Sequence, residues 1–397
     1  MMLACCVLAC SAQNNPQKTE IKKKMESQEL LTGADRISSY LPLLEGKQVG
    51  LLVNPTSEVN GVLLPDTLLA LGVKVVKIFS PEHGFRGTAD AGAAVKSGRD
   101  EKTGLPVISL YGNHKKPTTA DLKDIDVLVY DLQDVGVRFY TYISTLEYAL
   151  EACIENKVSL MVLDRPNPLV DVVDGPVLEA AHRSFVGMQS IPVIYGMTPG
   201  EYAEMLIGEA WVKGDQKLLT VIPCANYTRE SKCTLPVAPS PNLKSMAAIY
   251  LYPSLCLFEG TVISVGRGTE QPFQVFGHPQ LKDYPFSFVP QSLPGASKPL
   301  YKGQRCYGRK LATDELTALS ATEGGQLRLQ WIIEAYQSFP DKENFFNNFF
   351  VKLAGTNKLK QQIEAGLSEA AIKESWQADL NQFKTIRSKY LLYPEVH

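Results

Sequence analysis

Short apolar runs alternate with longer amphipathic stretches between Gly33 and Ser184. The runs are rich in Val, Ile and Leu without strict apolar–polar alternation, which is typical of strands buried on both faces. They are Val49–Asn54, Val73–Phe79, Val107–Tyr111, Val127–Tyr130 and Leu160–Leu163. Stretches such as Asp66–Leu71 and Tyr142–Glu155 lie between them and have helical character. Strands that alternate with helices predict βαβ units and therefore a parallel sheet.

The pattern changes after about Phe185. Thr198, Pro199 and Glu201 suit the N-cap, the first position and the capping box of a helix that runs to about Lys213. Residues 219–223 resemble a strand, and Pro- and Gly-rich sequence from 271 to 308 predicts loops. Helical periodicity returns over 327–339, 358–365 and 369–390. We predict an α/β protein with a parallel-sheet domain at residues 30–185 and a smaller α+β domain at residues 186–397.

Length and charge narrow the classes of function. A chain of 397 residues exceeds what one compact core usually supports, which favours two domains. The 40 Lys and Arg residues nearly balance the 42 Asp and Glu residues, and the formal net charge is -2. Without a basic excess to bind a phosphate backbone, a nucleic-acid partner is not expected. No apolar stretch after residue 12 is long enough to span a bilayer.

The N-terminus resembles the end of a secretory signal. Met1–Ala12 is apolar and uncharged, and it is too short for a membrane helix. Within it, Leu8-Ala9-Cys10-Ser11 resembles a bacterial lipobox, in which the cysteine is acylated and becomes the new N-terminus. We therefore expect residues 1–29 to be a signal remnant and tether, with a lipid anchor on Cys10. The expected location is the periplasm or cell envelope, with membrane contact only through that anchor.

Several well-known catalytic motifs are missing. The sequence has no G-x-G-x-x-G after an early strand, no P-loop, no G-x-S-x-G elbow and no H-E-x-x-H. It contains only five histidines, and the cysteines beyond Cys10 fit no zinc spacing. We therefore predict no cofactor and no metal. What remains is a set of carboxylates, arginines and aromatics after the strands, a combination that suits glycoside hydrolysis, because that reaction needs two carboxyl groups.

Glu82 is the first candidate among these groups. The segment Ser80–Gly87 follows a predicted strand, and ligands bind outside the carboxyl ends of parallel strands. A carboxyl in such a turn can have its pKa raised by burial and act as a general acid. His83 and Arg86 are adjacent candidates for substrate binding. The alternative is a turn acid that is ion-paired with Arg86.

A second group of candidates follows the strand at Val127–Tyr130. Asp131 and Asp134 lie on either side of Gln133, and Arg138 and Tyr140 follow. Either aspartate is a candidate for the second carboxylate, with the other three residues as candidate substrate ligands. Asp134 is equally well explained as an N-cap or as a partner of Arg138.

Four further candidates lie in later segments of the chain. In the rigid turn Asp164–Pro168, Arg165 and Asn167 can bind a sugar hydroxyl or can form part of a structural ion pair. Glu259 follows two apolar residues and can be desolvated. Arg267 lies between two glycines and suits bidentate binding of a ligand carboxylate, although a plain salt bridge is the alternative.

Taken together, these motifs resemble the exo-β-N-acetylmuramidase family (NamZ-type). The matching segments are Ser80–Gly87, Asp131–Gly136, Asp164–Pro168, Tyr195–Glu201, Ser240–Asn242, Leu257–Thr261, Ser264–Thr269 and Ser375–Tyr393. The resemblance covers nearly everything after the tether. It implies a Rossmann-like catalytic domain, a smaller C-terminal domain and an active cleft between them. It also implies release of N-acetylmuramic acid from the non-reducing end of peptidoglycan fragments.

The resemblance further implies that Glu82 is catalytic, and it adds Asn242 to the substrate-binding candidates. It leaves the second catalytic group open among Glu259, Asp131, Asp134 and the N-acetyl group of the substrate itself. Two alternatives differ in class. One is an amidase or esterase acting on muramyl peptides, which needs a nucleophile or metal that the sequence does not show. The other is a non-catalytic wall-sugar-binding lipoprotein that uses the same cleft as a receptor.

Overall fold

A seven-stranded sheet dominates the computed structural model, which describes residues 29–82, 84–86 and 97–394. The strands before residue 225 are β1 (Val49–Val53), β2 (Glu58–Val59), β3 (Val62–Leu63), β4 (Val75–Ser80), β5 (Gly98–Arg99), β6 (Pro106–Ser109), β7 (Val127–Asp131), β8 (Ser159–Leu163) and β9 (Leu219–Ile222). The sheet has the order β5-β6-β4-β1-β7-β8-β9, and β2 pairs with β3 in a separate hairpin. Among the described strands of this sheet, only the β5–β6 pair is antiparallel.

The parallel strands lie in the order of a Rossmann fold. The first three, β1, β4 and β6, extend toward one edge, and β7, β8 and β9 extend toward the other. The strand order therefore reverses beside β1, which opens a crevice at the carboxyl ends of the strands. This arrangement confirms the predicted α/β fold with a mostly parallel sheet.

Helices cover both faces of this sheet and build most of the rest of the molecule. They are α1 (Ile37–Leu44), α2 (Leu64–Ala70), α3 (Thr119–Leu122), α4 (Tyr142–Asn156), α5 (Pro199–Gly208), α6 (Met246–Leu255), α7 (Glu315–Ala321), α8 (Gln330–Ser338), α9 (Phe349–Ala354), α10 (Lys358–Glu364), α11 (Glu369–Glu374) and α12 (Gln377–Arg387). Helix α5 begins with the predicted capping box between Thr198 and Glu201, but it ends at Gly208, before the predicted Lys213. Within the described ranges, no helix combines the length and apolarity needed to cross a membrane.

A second, three-stranded antiparallel sheet lies where the sequence predicts only loops. Its strands are β10 (Val275–His278), β11 (Phe286–Phe288) and β12 (Cys306–Lys310), in the order β10-β12-β11. The strands are short, and the Pro- and Gly-rich sequence between them hides their periodicity.

One hydrophobic core joins the two parts of the chain. The largest cluster of buried apolar residues combines one face of the large sheet with α4, α5, α6 and the C-terminal helices. A second cluster lies on the other face, beneath α1 and α2. Strand β9 pairs with β8 and so belongs to the large sheet, although the sequence assigns residues 186–397 to the second domain. The large sheet therefore extends beyond residue 185.

Candidate active site

A cleft of about 210 Å³ lies between the two parts of the chain. In the part of the chain that the structure describes, its walls combine two glutamates and an arginine with six aromatic side chains. The lining residues are Glu82, Phe139, Tyr140, Thr141, Tyr142, Val186, Ser240, Leu243, Tyr252, Cys256, Glu259, Arg267, Phe273, Phe349 and Leu353. A larger cavity of about 730 Å³ is lined by Asp171, Arg229, Lys373 and neighbouring residues. None of the predicted site residues that the structure describes lines that cavity, so we place the candidate active site in the smaller cleft.

Glu82 reaches the cleft from the loop that follows β4. Its Oε1 atom accepts a hydrogen bond from the Tyr111 hydroxyl at 3.3 Å. Burial, reinforced by the charge of Glu82, raises the pKa of Tyr111 to about 12, so this hydroxyl keeps its proton. Gly84 has a φ of +82°, a conformation that favours glycine, and this explains the sharp turn after the glutamate. His83 lies outside the described residues.

Arg86, close to Glu82 in sequence, binds a different carboxylate. Its Nε and Nη2 atoms donate to the two carboxylate oxygens of Asp100 at 2.7 and 2.8 Å. A third carboxylate, that of Asp66, lies 3.8 Å away. The hydrogen bond from Arg86 holds the pKa of Asp100 well below its usual range, although burial opposes this shift. Arg86 is thus part of an ion-pair cluster beside the loop, and it does not line the cleft.

Glu259 enters the cleft from a 3₁₀ helix, Cys256–Gly260, that directly follows α6. One carboxylate oxygen accepts a hydrogen bond from Arg267 Nε at 2.7 Å, and the other accepts from the Cys256 thiol at 3.5 Å. Burial and the nearby charge of Glu259 raise the pKa of Cys256 well above its usual range, so the sulfur remains a thiol donor. Both oxygens of Glu259 are therefore held in a defined orientation.

Arg267 is positioned for a further contact. Its guanidinium lies over the ring of Phe273, 4.9 Å from the ring centroid. Burial disfavours the charged form, but Glu259 outweighs it and the pKa of Arg267 lies above its ordinary value. Among the described atoms, Arg267 Nη1 is buried without a hydrogen-bond partner. A buried cationic donor without a partner on the wall of a cleft is suited to an anionic group of a ligand.

Gly260 explains how Glu259 is fixed in place. A Cβ atom at this position would lie 2.3 Å from the backbone Cα of Phe350, so only glycine permits the close approach of the 3₁₀ helix to α9. The backbone N–H of Asn347 donates to the Gly260 carbonyl at 2.9 Å. The glycine after Glu259 is therefore a packing requirement of the site.

Asp131 is buried away from the cleft. As the last residue of β7 it is 0% exposed, and it forms a bidentate ion pair with Arg165 at 2.5 and 2.9 Å. Burial raises the pKa of Asp131, and the charge of Arg165 opposes that shift. The amide of Gln133 donates to the backbone carbonyls of Asp134 and Pro166. These contacts give Asp131, Gln133 and Arg165 a structural role in joining two strand-end loops.

Asp134 and Arg138 are also buried, and each has other partners. Asp134 accepts hydrogen bonds from the Gly136 N–H at 2.7 Å and from the Tyr195 hydroxyl. The guanidinium of Arg138 donates to four backbone carbonyls, which belong to Pro176, Ile191, Leu353 and Ala354. Two of these carbonyls lie at the end of α9, so Arg138 connects the loops of the large sheet to the C-terminal part.

Of the remaining described candidates, two lie outside the cleft and one lines it. Asn167 donates to the Met197 carbonyl at 2.8 Å, and Asn242 donates to the Gly295 carbonyl at 2.9 Å. Neither residue lines the cleft. Tyr140 does line it, and its hydroxyl donates to the Pro239 carbonyl at 2.6 Å. The structure therefore brings Glu82, Tyr140, Glu259 and Arg267 together and places the other described candidates in the supporting structure.

Of the fifteen described residues that line the cleft, eleven were not predicted from the sequence. Four of these eleven are Tyr252, Cys256, Phe273 and Phe349. Among these four, the only available signal was the position of Cys256 directly before the Leu257–Thr261 motif. The three aromatics cannot be distinguished from core residues without tertiary structure. In the described ranges, no group of three or more His, Cys, Asp and Glu side chains could hold a metal ion.

The pH dependence of stability provides a test of Asp134. Burial raises the pKa of this carboxyl to about 6, although the Tyr195 hydrogen bond opposes the shift. The folded state thus holds the proton more tightly than the unfolded chain, and the resulting stabilisation is lost as pH rises from about 4 through about 6. Asparagine cannot ionise, so the free energy of unfolding of Asp134→Asn should fall less over this pH range than that of the wild type. The difference should reach up to about 3 kcal/mol.

Urea unfolding of both proteins at pH 4 and pH 7 measures this effect. We expect the variant to gain stability relative to the wild type at pH 7 and to keep near-normal turnover. If the free energy of unfolding changed equally with pH in both proteins, burial would not raise the pKa of Asp134. Loss of turnover with an intact fold would instead identify Asp134 as a catalytic residue.

An α/β fold with two carboxylates in one aromatic-lined cleft has the features of a glycoside hydrolase. Comparisons with known proteins agree. Residues 49–247 match the profile for the N-terminal region of exo-β-N-acetylmuramidase NamZ, and residues 250–393 match the profile for its C-terminal region. The chain therefore belongs to the NamZ family of exo-β-N-acetylmuramidases, which are glycoside hydrolases.

Individual relatives support the same assignment. The chain is 38% identical to the peptidoglycan β-N-acetylmuramidase NamZ of Bacillus subtilis (strain 168), over 99% of this chain and 97% of the relative. Two crystal structures of DUF1343 family proteins from Bacteroides fragilis have similar folds. One has a TM-score of 0.84 at 42% identity and covers 93% of this chain and 100% of its own. The other has a TM-score of 0.76 at 30% identity and covers 92% and 99%.

Proposed function

We propose that this protein releases N-acetylmuramic acid from the non-reducing end of peptidoglycan fragments during cell-wall turnover and recycling. The observation that carries the proposal is that Glu82 and Glu259 line one cleft in a chain of the NamZ family. The relative from Bacillus subtilis is, by its name, a peptidoglycan β-N-acetylmuramidase.

Glu82 acts as the general acid in this proposal. It protonates the glycosidic oxygen as the bond to the terminal sugar breaks, and a water molecule supplies the hydroxyl that the anomeric carbon gains. The Tyr111 hydroxyl, which donates to Glu82 Oε1, holds the carboxyl group in position.

Glu259 is the second carboxylate in this proposal. Arg267 and Cys256 fix its two oxygens, and it faces the same cleft as Glu82. There it can stabilise the positive charge that develops on the sugar, or orient the N-acetyl group if the substrate assists its own hydrolysis. Burial and other partners argue against Asp131 and Asp134 for this role.

A chromogenic β-N-acetylmuraminide tests the proposal against its alternatives. Release of the aglycone supports the hydrolase. Binding of the substrate without turnover would favour the wall-sugar receptor. Cleavage of the amide or ester bonds of a muramyl peptide, with the chromogenic substrate left intact, would favour the amidase or esterase.

We also propose that the protein is exported and acylated on Cys10, which lies outside the described residues. The motive is the lipobox-like sequence Leu8–Ser11 before a polar tether. Full lipoprotein modification adds several acyl chains, and these hold a protein at a membrane far better than one chain does. Expression from the native start should give membrane-associated protein that metabolic labelling with a fatty acid detects.

Cys10→Ser is the matched control, and it should abolish both the label and the membrane association. Unacylated wild-type protein in the cytoplasm would contradict the proposed anchor.

A further inference from the structure

Among the described aromatic residues of the cleft wall, only Phe349 has a large exposed surface. It is 37% exposed, whereas the other aromatic residues of the wall are at most 7% exposed. The buried rings pack against one another, as Tyr252 does with Tyr140 and Phe273. Phe349 therefore lies at the mouth of the cleft, and the buried rings form its interior.

The backbone around Phe349 is tied to the segment that carries Glu259. The Phe349 N–H donates to the Asn347 side chain at 2.8 Å, and the Asn347 N–H donates to the Gly260 carbonyl at 2.9 Å. The close contact of Gly260 with Phe350 adds a second connection. The backbone that carries the exposed ring is thus connected to Gly260, the residue next to Glu259.

We propose that Phe349 is the platform on which the sugar next to the scissile bond rests, a leaving-group subsite for the N-acetylglucosamine ring. This inference depends on the proposed exo-acting hydrolysis. An exo-acting enzyme encloses the terminal sugar, so the interior of the cleft contacts that sugar and the rest of the glycan leaves through the mouth. A pyranose ring presents a face of C–H groups, which suits an exposed aromatic ring. The residue determines preference for the leaving group and takes no part in the chemical step.

Two substrates that differ only in the leaving group test this subsite. One is the disaccharide of N-acetylmuramic acid β-1,4-linked to N-acetylglucosamine, and the other is β-N-acetylmuraminyl azide, whose leaving group has no ring face. Phe349→Ala should lower kcat/KM on the disaccharide about threefold to tenfold, as expected for losing part of a buried apolar contact. On the azide it should leave kcat/KM unchanged. Phe349→Tyr should retain wild-type values on both substrates.

Leu316→Ala is the matched control for truncating an exposed apolar side chain, because Leu316 is 79% exposed on α7 and lies outside the cleft. It should affect neither substrate. Equal losses on both substrates for Phe349→Ala, or no loss on either, would overturn the subsite. If the wild-type protein cleaves neither substrate, the proposed function itself is wrong, and this outcome is distinct from failure of the subsite.

Discussion

Glu82→Gln is expected to lower kcat for hydrolysis of β-N-acetylmuraminides by about 10²–10⁴-fold, the usual cost of losing a general acid. Glutamine has nearly the same shape, so the hydrogen bond from Tyr111 and the fold should persist. Affinity for the sugar should remain largely intact. The loss should depend on the leaving group, because an aglycone whose oxygen is a weak base needs little help from a proton donor.

The measurement compares kcat of the wild type and the variant on the natural disaccharide and on a dinitrophenyl muraminide. A much larger loss on the disaccharide identifies Glu82 as the acid. Glu101→Gln, at an exposed turn outside the cleft, is the control and should have no effect. Near-normal turnover by Glu82→Gln would refute the assignment, and equal losses on both substrates would give Glu82 a role other than proton donation.

Arg267→Ala is expected to reduce the preference for muraminides over glucosaminides by about 10- to 150-fold, which corresponds to a charged hydrogen bond of about 1.5–3 kcal/mol. The two sugars differ only in the lactyl ether, so discrimination must come from groups that meet it. Arg267 has a buried Nη1 atom without a partner in the described structure, and it lines the cleft. A plain glucosaminide would leave this donor unpaired, whereas the lactyl carboxylate would satisfy it.

The ratio of kcat/KM for matched muraminide and glucosaminide substrates isolates this effect. Arg267 also holds Glu259, so activity on both substrates should fall, but only loss of the lactyl contact changes their ratio. Arg86→Ala is the control, because Arg86 binds Asp100 and does not line the cleft. A substitution at Arg138 is a less useful control, since loss of its side chain would leave four buried carbonyls without their donor. An unchanged ratio for Arg267→Ala would mean that other groups, such as backbone N–H groups, recognise the carboxylate.

The parallel sheet was predictable because strands buried on both faces have a distinctive composition. Strand β7 begins at the expected residue, Val127. Strand β4, which precedes Glu82, ends within one residue of the expected position. Helix α6 was missed because its sequence lacks a distinctive pattern. All ten of its residues are buried and Pro253 lies inside it, so neither amphipathic periodicity nor composition identifies it as a helix.

The candidate site was predictable only in part. Position after a strand identifies polar residues near the correct edge, but it does not say which side chains face the cleft. Asp131 illustrates this point, since it ends β7 and yet is buried with Arg165. Glu259 and Arg267 were identifiable from their motifs. Phe349 reaches the cleft only through the packing of α9 against Gly260, which no local pattern encodes.

The most direct test of exo-acting N-acetylmuramidase activity is to analyse the products from two defined peptidoglycan glycans that differ only in their non-reducing end. One ends in N-acetylmuramic acid and the other in N-acetylglucosamine, and mass spectrometry follows the products over time. We expect release of free N-acetylmuramic acid from the first glycan, a remaining chain that is one sugar shorter, and no cleavage of the second. Internal cleavage, release of disaccharides, or cleavage of the glycan ending in N-acetylglucosamine would contradict exo-acting N-acetylmuramidase activity.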